Sequence, residues 1–416
     1  MTDVTKQRAN INMLFLVLVA SLGYFVDIYD LLVFSIVRVE SLTSIGIVDK
    51  AEITAKGTFI INVQMFGLLL GGILWGIIGD KMGRIKVLFG SILLYSIANF
   101  LNSYVKDVNS YALVRFVAGV GLAGELGAGI TLVSETMSKE KRGYGTMIVA
   151  VVGLFGAVLA REVARDFGWQ NAYRVGGCLG LVLLALRLGT FESGMFKNAT
   201  KSNVSRGNFL MLFNNGKRFS KYLYCILIGA PLWYVVGVLV TQSKEFGEAM
   251  GAKDVLNAGN GVLFTYIGIS VGDLFAGILA QITKSRKLTM MVFLLISLVS
   301  VYCYLSSSGI TTSQFNWLCF FMGCSVGYWA TFVTIASEQF GTNLRATVTT
   351  TVPNFVRGAL IPINALFIFF KGHYGMIHAG YIMMILLTII SLFSLSQLKE
   401  TFGKDLNYME GEVPIA

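Results

Sequence analysis

Charge is scarce in this chain. Asp, Glu, Lys and Arg make up 13% of its 416 residues, against about 25% in soluble domains. Proline occurs four times and histidine twice. The two histidines, His373 and His378, flank the start of the last helix and read as loop or interface residues. There is no clustered His, no metal-ligand spacing and no nucleophile motif, so an enzyme is not expected, nor a metal or cofactor. The five cysteines, Cys178, Cys225, Cys303, Cys319 and Cys324, all lie in apolar segments. An odd number without ligand spacing makes neither a disulfide framework nor a metal site. They read as small buried hydrophobes.

Apolar length is what the chain has in excess. It is 55% hydrophobic, with 46 glycines and a mean hydropathy of +0.69. Stretches of about 18 or more apolar residues recur, the length that crosses the hydrocarbon core as a helix. The pattern predicts an all-α polytopic membrane protein; a transmembrane barrel would show short alternating segments. The first stretch, 11–34, is too long for the apolar region of a signal peptide and has no small-residue cleavage site behind it. The formal net charge of +10 does not point to nucleic acid, because the basic residues are spread over short loops. Their asymmetry orients the chain instead. With both termini in the cytoplasm, inner loops hold about twenty Lys and Arg against about ten outside. A plasma or bacterial inner membrane is the expected location.

About twelve spans are expected. They lie near 11–35, 58–79, 87–105, 109–135, 143–166, 171–191, 222–243, 257–281, 288–307, 314–336, 346–370 and 375–396. A polar, basic segment divides them six and six. The predicted organisation is an N-terminal six-helix bundle over 1–193, a cytoplasmic central loop over 194–221, a C-terminal bundle over 222–396 and a cytoplasmic tail over 397–416. The halves resemble each other. "SETMSKEKRG" begins at Ser134 and "SEQFGTNLRA" at Ser337, each between the fourth and fifth spans of its half. In each, a Glu precedes an Arg by seven residues: Glu135 with Arg142, Glu338 with Arg345. Such duplication is typical of secondary transporters, whose site lies at midplane between the repeats.

"GIIGDKMGRIK", Gly76 to Lys86, joins the second and third spans. Gly83 permits a tight turn, and Asp80 can accept from helix N-termini and from Arg. The loop resembles the signature of the major facilitator superfamily, Gly-x-x-x-Asp-(Arg/Lys)-x-Gly-Arg-(Arg/Lys), through Asp80, Lys81, Gly83 and Arg84. Ile85 departs from the pattern, and Lys86 supplies the basic residue. The matching loop of the second half, "GILAQITKSRK", has Gln281 where an Asp would stand. "RFVAGVGLAGELGAG" resembles the fourth span of the metabolite:proton symporters through Arg115, Gly124 and Glu125, with Ala123 at the first Gly. "SETMSKEKRG" resembles a loop of that branch and of the sugar and organic-ion porters. "RLGTFESGMF" (Arg187, Glu192, Ser193) resembles the end of their sixth span, with Gly194 for the usual Pro. "YFVDIYDLLVF" resembles the aromatic-acidic first span, with Asp30 at the usual Asp. The resemblance implies two six-helix bundles, alternating access and a cavity lined by spans 1, 4, 7 and 10. It also implies a cytoplasmic gate of Asp80, Lys81, Gly83, Arg84, Glu135, Arg142, Glu338 and Arg345.

Depth selects among the charges. At 1.5 Å per residue, Glu125 lies about 15 Å from Glu135, Arg357 about 18 Å from Arg345, and Asp273 about 16 Å from Lys284. Aligning Gly23 with Gly229 puts Asp27 near the same depth and Asp30 one turn further out. Trp233, Tyr234, Tyr328 and Trp329 share that slab. Ionisable groups there cost several kcal/mol unless paired or wet, so each is a functional candidate. Glu125, Asp27 and Asp30 are the proton-coupling candidates. Glu125, bedded in Gly and Ala that let helices approach, is expected to face a water-filled cavity. Hydrogen bonding to a neighbouring helix is the alternative. Arg357, Asn354, Asp273 and the four aromatics are the substrate-binding candidates; an Asp273–Arg357 structural ion pair is an equal reading. Arg161 and Arg165, with Glu162 and Asp166 near the outer end of the fifth span, read as an outer gate.

The expected function is secondary active transport by alternating access. Proton-coupled symport of a small polar metabolite, an organic anion or zwitterion, is favoured, with a monomer in the bilayer and no nucleic-acid partner. A sugar or polyol porter is the alternative, since aromatics, acids and Asn354 suit hydroxyls. An exporter is less favoured, because "GLFGAVLA" in the fifth span lacks the Gly-Pro signature of antiporters. A channel would need a repeated selectivity ring.

Overall fold

The computed structural model describes residues 3–138, 142–187 and 207–410. Among these residues the secondary structure is helical, with no strand. Among the described residues, ten helices are long and apolar enough to cross a membrane. Two of them, Gly143–Leu186 and Arg345–Gln397, have 44 and 53 residues. At 1.5 Å per residue each is about twice the length needed to span the hydrocarbon core. Each contains a glycine outside helical geometry, Gly168 at φ 76° and Gly375 at φ 77°. Each is therefore long enough to cross twice.

The chain forms two compact units. One comprises Met1–Leu212, Phe340–Asn354 and Lys404–Ala416. It holds α1 (Asp3–Ser44), α2 (Lys50–Met82), α3 (Arg84–Asn102), α4 (Val108–Leu122), α5 (Glu125–Thr136), α6 (Arg142–Leu154) and α7 (Gly156–Leu186). Local signals start these helices. Asp49 accepts from the Glu52 amide before α2, and Asp107 accepts from Asn109 and Ser110 before α4. Between α2 and α3, Gly83 takes φ 105°, a backbone shape that favours glycine. The core gathers aromatics from α1, α4 and α7. The Tyr111 and Tyr173 hydroxyls lie 2.7 Å apart, and Tyr29 donates to the Ala172 carbonyl. Buried aromatic hydroxyls need such partners.

The second unit comprises Phe213–Gln339 and Phe355–Gly403. It holds α8 (Gly216–Leu227), α9 (Ala230–Tyr234), a π-helical turn (Val235–Val240), α10 (Ser243–Ala249), α11 (Ala258–Thr283), α12 (Arg286–Ser306), α13 (Thr312–Val326), α14 (Trp329–Gln339) and α16 (Leu360–Gln397). Helix α15 (Arg345–Gly358) begins in the first unit and ends in the second. Asn215, Asn257 and Ser285 cap α8, α11 and α12, and Thr311 with Gln314 forms a capping box on α13.

Several of the candidate residues sit where helices break. Glu125 opens α5 after a break at Ala123–Gly124. Trp233 and Tyr234 follow the break at Ile228–Gly229 and lead into the π turn. Trp329 opens α14 after Gly327–Tyr328, and Arg357 lies in the last turn of α15. A broken helix exposes backbone groups at membrane depth, which is tolerated only inside protein or beside a cavity.

Candidate functional site

Glu125 is not an isolated acid. Its carboxylate is buried and bound by Arg187, which follows the end of α7. Arg187 Nη1 donates to Oε2 at 3.0 Å, and Nη2 donates to Oε1. Arg187 Nη1 also reaches the Leu88 carbonyl. The pair presses on the backbone of α1 at Gly23, where an added Cβ would collide with Glu125 Oε1 and Arg187 Nη2. The expectation of a free carboxyl facing water is thus corrected: a bidentate guanidinium takes both oxygens.

Asp30 is held differently. Arg115 Nη1 donates to Asp30 Oδ1 at 3.1 Å, and Nη2 donates to the Asp30 carbonyl at 3.0 Å. Arg115 Nε donates to Gln64 Oε1, and the guanidinium lies 5.6 Å from the Tyr173 ring centroid. Both charged side chains are fully buried, yet Asp30 Oδ2 has no hydrogen-bond partner. Gln64 and Tyr173 were not singled out from sequence, since nothing local ties them to Arg115. Asp27 is buried one turn earlier on α1.

In the second unit, Arg357 lies 5.9 Å from the Trp233 ring centroid and 5.6 Å from that of Trp329. The two indoles are 6.5 Å apart. Both indole N–H groups are buried without a hydrogen-bond partner. Tyr328 packs against Phe293, and Tyr234 spends its hydroxyl on the Gly380 carbonyl. Asp273 does not pair with Arg357. Its Oδ1 instead accepts from the Ala330 amide at 2.9 Å. Asn354 falls in the first unit, where its amide donates to the Ala123 and Thr350 carbonyls.

A charge cluster gathers in the first unit where α2, α3, α5 and α15 meet. Asp80 accepts from the amides of Ala346 and Thr347 at 3.0 and 2.8 Å, on the first turn of α15. Arg84 Nη2 lies 2.9 Å from Glu135 Oε1 and 3.5 Å from Asp80 Oδ1. Arg345 Nη1 reaches the same Glu135 oxygen at 2.9 Å, and its Nη2 donates to the Leu406 carbonyl of the tail. Lys81 is exposed. The Arg142 side chain, Glu192 and Ser193 lie outside the described residues. Glu338 reaches Arg286, the first residue of α12, as Glu135 reaches Arg84, the first residue of α3. The second-half loop therefore keeps the Arg–Glu contact although Gln281 replaces the Asp. The sequence marked Arg286 only as one basic loop residue among many. Arg161 and Arg165 pair with Glu162 and Asp166 on one exposed face of α7.

The model of the Major Facilitator Superfamily matches residues 12–363 of this chain. The sialic acid transporter NanX of Escherichia coli K12 is 24% identical over 369 residues, which is 86% of this chain and 87% of that protein. The niacin transporter NiaP of Acinetobacter baylyi is 23% identical over 341 residues, 72% of this chain and 74% of that protein. In fold, the proton:xylose symporter XylE bound to 6-bromo-6-deoxy-D-glucose aligns with a TM-score of 0.74 at 17% identity, over 96% of this chain and 98% of its own. The fucose:proton symporter FucP of E. coli aligns at 0.71 and 12% identity, over 94% and 99%.

Proposed function

We propose a transport mechanism on one premise: the chain belongs to the Major Facilitator Superfamily. It is a multi-pass membrane transporter of organic solutes, not an enzyme. The finer reading is proton-driven symport of a small organic carboxylate. In this reading the six-helix bundles are those expected from sequence, 1–193 and 222–396, with the segment between them and both termini on the cytoplasmic side and a monomer as the working unit.

One observation carries the proton assignment: Asp30 keeps Oδ2 unbonded while Oδ1 faces Arg115. Proton uptake disturbs least a carboxylate oxygen that no donor already occupies. Both Glu125 oxygens already accept from Arg187, so protonation there would weaken the bidentate pair. Between these two acids this favours Asp30 for the proton, and Asp27, buried one turn earlier on α1, is kept as the alternative carrier. Protonation would neutralise Asp30 and weaken its hold on Arg115, a local charge change able to bias a two-state carrier.

Arg357 is the substrate anchor. A guanidinium matches a carboxylate with two parallel donors, and the faces of Trp233 and Trp329 suit the carbon skeleton beside it. Two relatives are named for carboxylic acids, niacin and sialic acid. The sugar or polyol alternative drew on Asn354, whose amide is engaged by two backbone carbonyls.

The test uses nicotinate as probe in proteoliposomes. D30N should lose accumulation driven by an inward proton gradient and keep exchange of internal for external nicotinate. Exchange needs only the loaded carrier to reorient, whereas accumulation needs proton release. Accumulation by D30N at the parent rate, or uptake driven by sodium alone, would overturn the reading.

A further inference from the structure

We infer that Asp273 is a positioning residue for the substrate anchor: it caps the half-helix that carries Trp329 and holds that indole against Arg357. The inference rests on the site reading above. Helix α14 begins at Trp329, directly after the break at Gly327–Tyr328. The first amides of a helix have no acceptor inside it, and at membrane depth water does not supply one. Asp273, midway along α11, supplies it. Its Oδ1 accepts from the Ala330 amide at 2.9 Å. A carboxylate is the favoured charge at this end of a helix dipole.

The backbone geometry is built for this contact. An added Cβ on Gly272 would come within 2.8 Å of the Gly327 Cα, and one on Gly327 would meet the Gly272 Cα at 2.5 Å. Helix α11 thus touches the break itself, which brings the short Asp273 side chain to that amide. The carboxylate is fully buried, and Oδ2 has no hydrogen-bond partner. Asp273 makes no ion pair with Arg357, so capping α14 is its one polar task. What the cap fixes is the start of α14. Trp329 there packs on Phe332 at 5.2 Å and on Trp233 at 6.5 Å, with Arg357 at 5.6 Å. Without the cap, the first turn of α14 frays and the indole loses its set position.

Two variants separate this role from general stability. The first measurement uses a chain whose only tryptophan is Trp329, the other four changed to Phe. Acrylamide quenching of Trp329 should rise about twofold in D273A, as the capped turn loosens, and return towards the parent value in D273N, since Asn is also a good cap. In a control chain whose only tryptophan is Trp169, D273A should leave quenching unchanged. No change at Trp329, an equal rise at Trp169, or a D273N indistinguishable from D273A would each overturn the proposal. If D273A does not fold, D273S takes its place under the same criteria. The second measurement is nicotinate counterflow. D273A should raise KM about tenfold with the maximal rate changed less than about threefold, as misplacement of a binding group predicts. A normal KM in D273A beside lost transport in R357A overturns the positioning role alone. Normal transport in R357A overturns the site reading and leaves the fluorescence result to decide the cap.

Discussion

Both oxygens of the Glu125 carboxylate are bound by the Arg187 guanidinium, and the pair is sealed from solvent. Stranding one charge of a buried pair costs about 3–5 kcal/mol, whereas removing both leaves no charge behind. E125Q and R187Q should therefore each lower the Tm of the detergent-purified protein. The double variant E125Q/R187Q should be more stable than either single. A double variant no better than the worse single would show that the pair is not what holds these helices.

Gly23 should tolerate no side chain, because its Cβ would occupy the place of Glu125 Oε1 and Arg187 Nη2. G23A is expected to destabilise by about 1–3 kcal/mol through overpacking. G129A is the control. Its Cβ would meet nothing nearer than the Ala20 Cβ at 3.8 Å, and removing a helical glycine stabilises by about 0.4–1 kcal/mol. Equal Tm values for the two variants would refute the crowding at Gly23.

D80N should slow transport without weakening substrate binding. Asp80 caps α15 through Ala346 and Thr347 and lies beside Arg84, and it makes no contact with the proposed substrate anchor. Losing the charge removes about 1 kcal/mol from the state that makes these bonds, several-fold in the conformational equilibrium. Nicotinate binding by titration and uptake rate in vesicles check the two sides. A large loss of intrinsic affinity with a normal rate would contradict the gate assignment.

Acid should erase one contact outside the membrane. Burial tends to raise the Glu400 pKa, but bonds from the Ser285 hydroxyl and the amides of Phe402, Arg286 and Lys287 outweigh it and leave the carboxyl below its ordinary value. A depressed folded pKa favours the folded state above the unfolded pKa of about 4.3. That contribution fades as pH falls through the folded value. The Tm gap between the parent and E400Q should be widest near neutral pH and narrow as pH falls below the unfolded pKa of about 4.3 and through the lower folded value. A gap that does not change with pH would rule out an ionised cap.

The candidate residues could be chosen from sequence by depth, and their partners could not. Glu125, Arg357 and Trp329 were placed in one slab, and Asp30 one turn further out, by counting residues along apolar spans. The counting works because a helix rises a constant 1.5 Å per residue. Azimuth has no such rule. Whether Glu125 faces a cavity or Arg187 depends on how α5 is turned against α7, and the two residues are 62 apart in the chain. Asp273 shows the same limit. Its depth matched that of Arg357, which made an ion pair reasonable, but the break before Trp329 offers an amide that the carboxylate takes instead.

Composition and apolar run length were enough for a helical membrane protein, and the Asp80–Arg84 loop was enough for its family. Those features are local: each is set by a residue's own transfer energy or by neighbours within a turn or two. The second Arg–Glu contact, the Asp30–Arg115 bond and the cap on α14 are not local. They join residues 52, 85 and 57 apart. A buried charge must find a partner, and no rule of spacing says which of several helices supplies it. Only packing, which brings one guanidinium or one amide within 3 Å of one carboxylate, makes that choice.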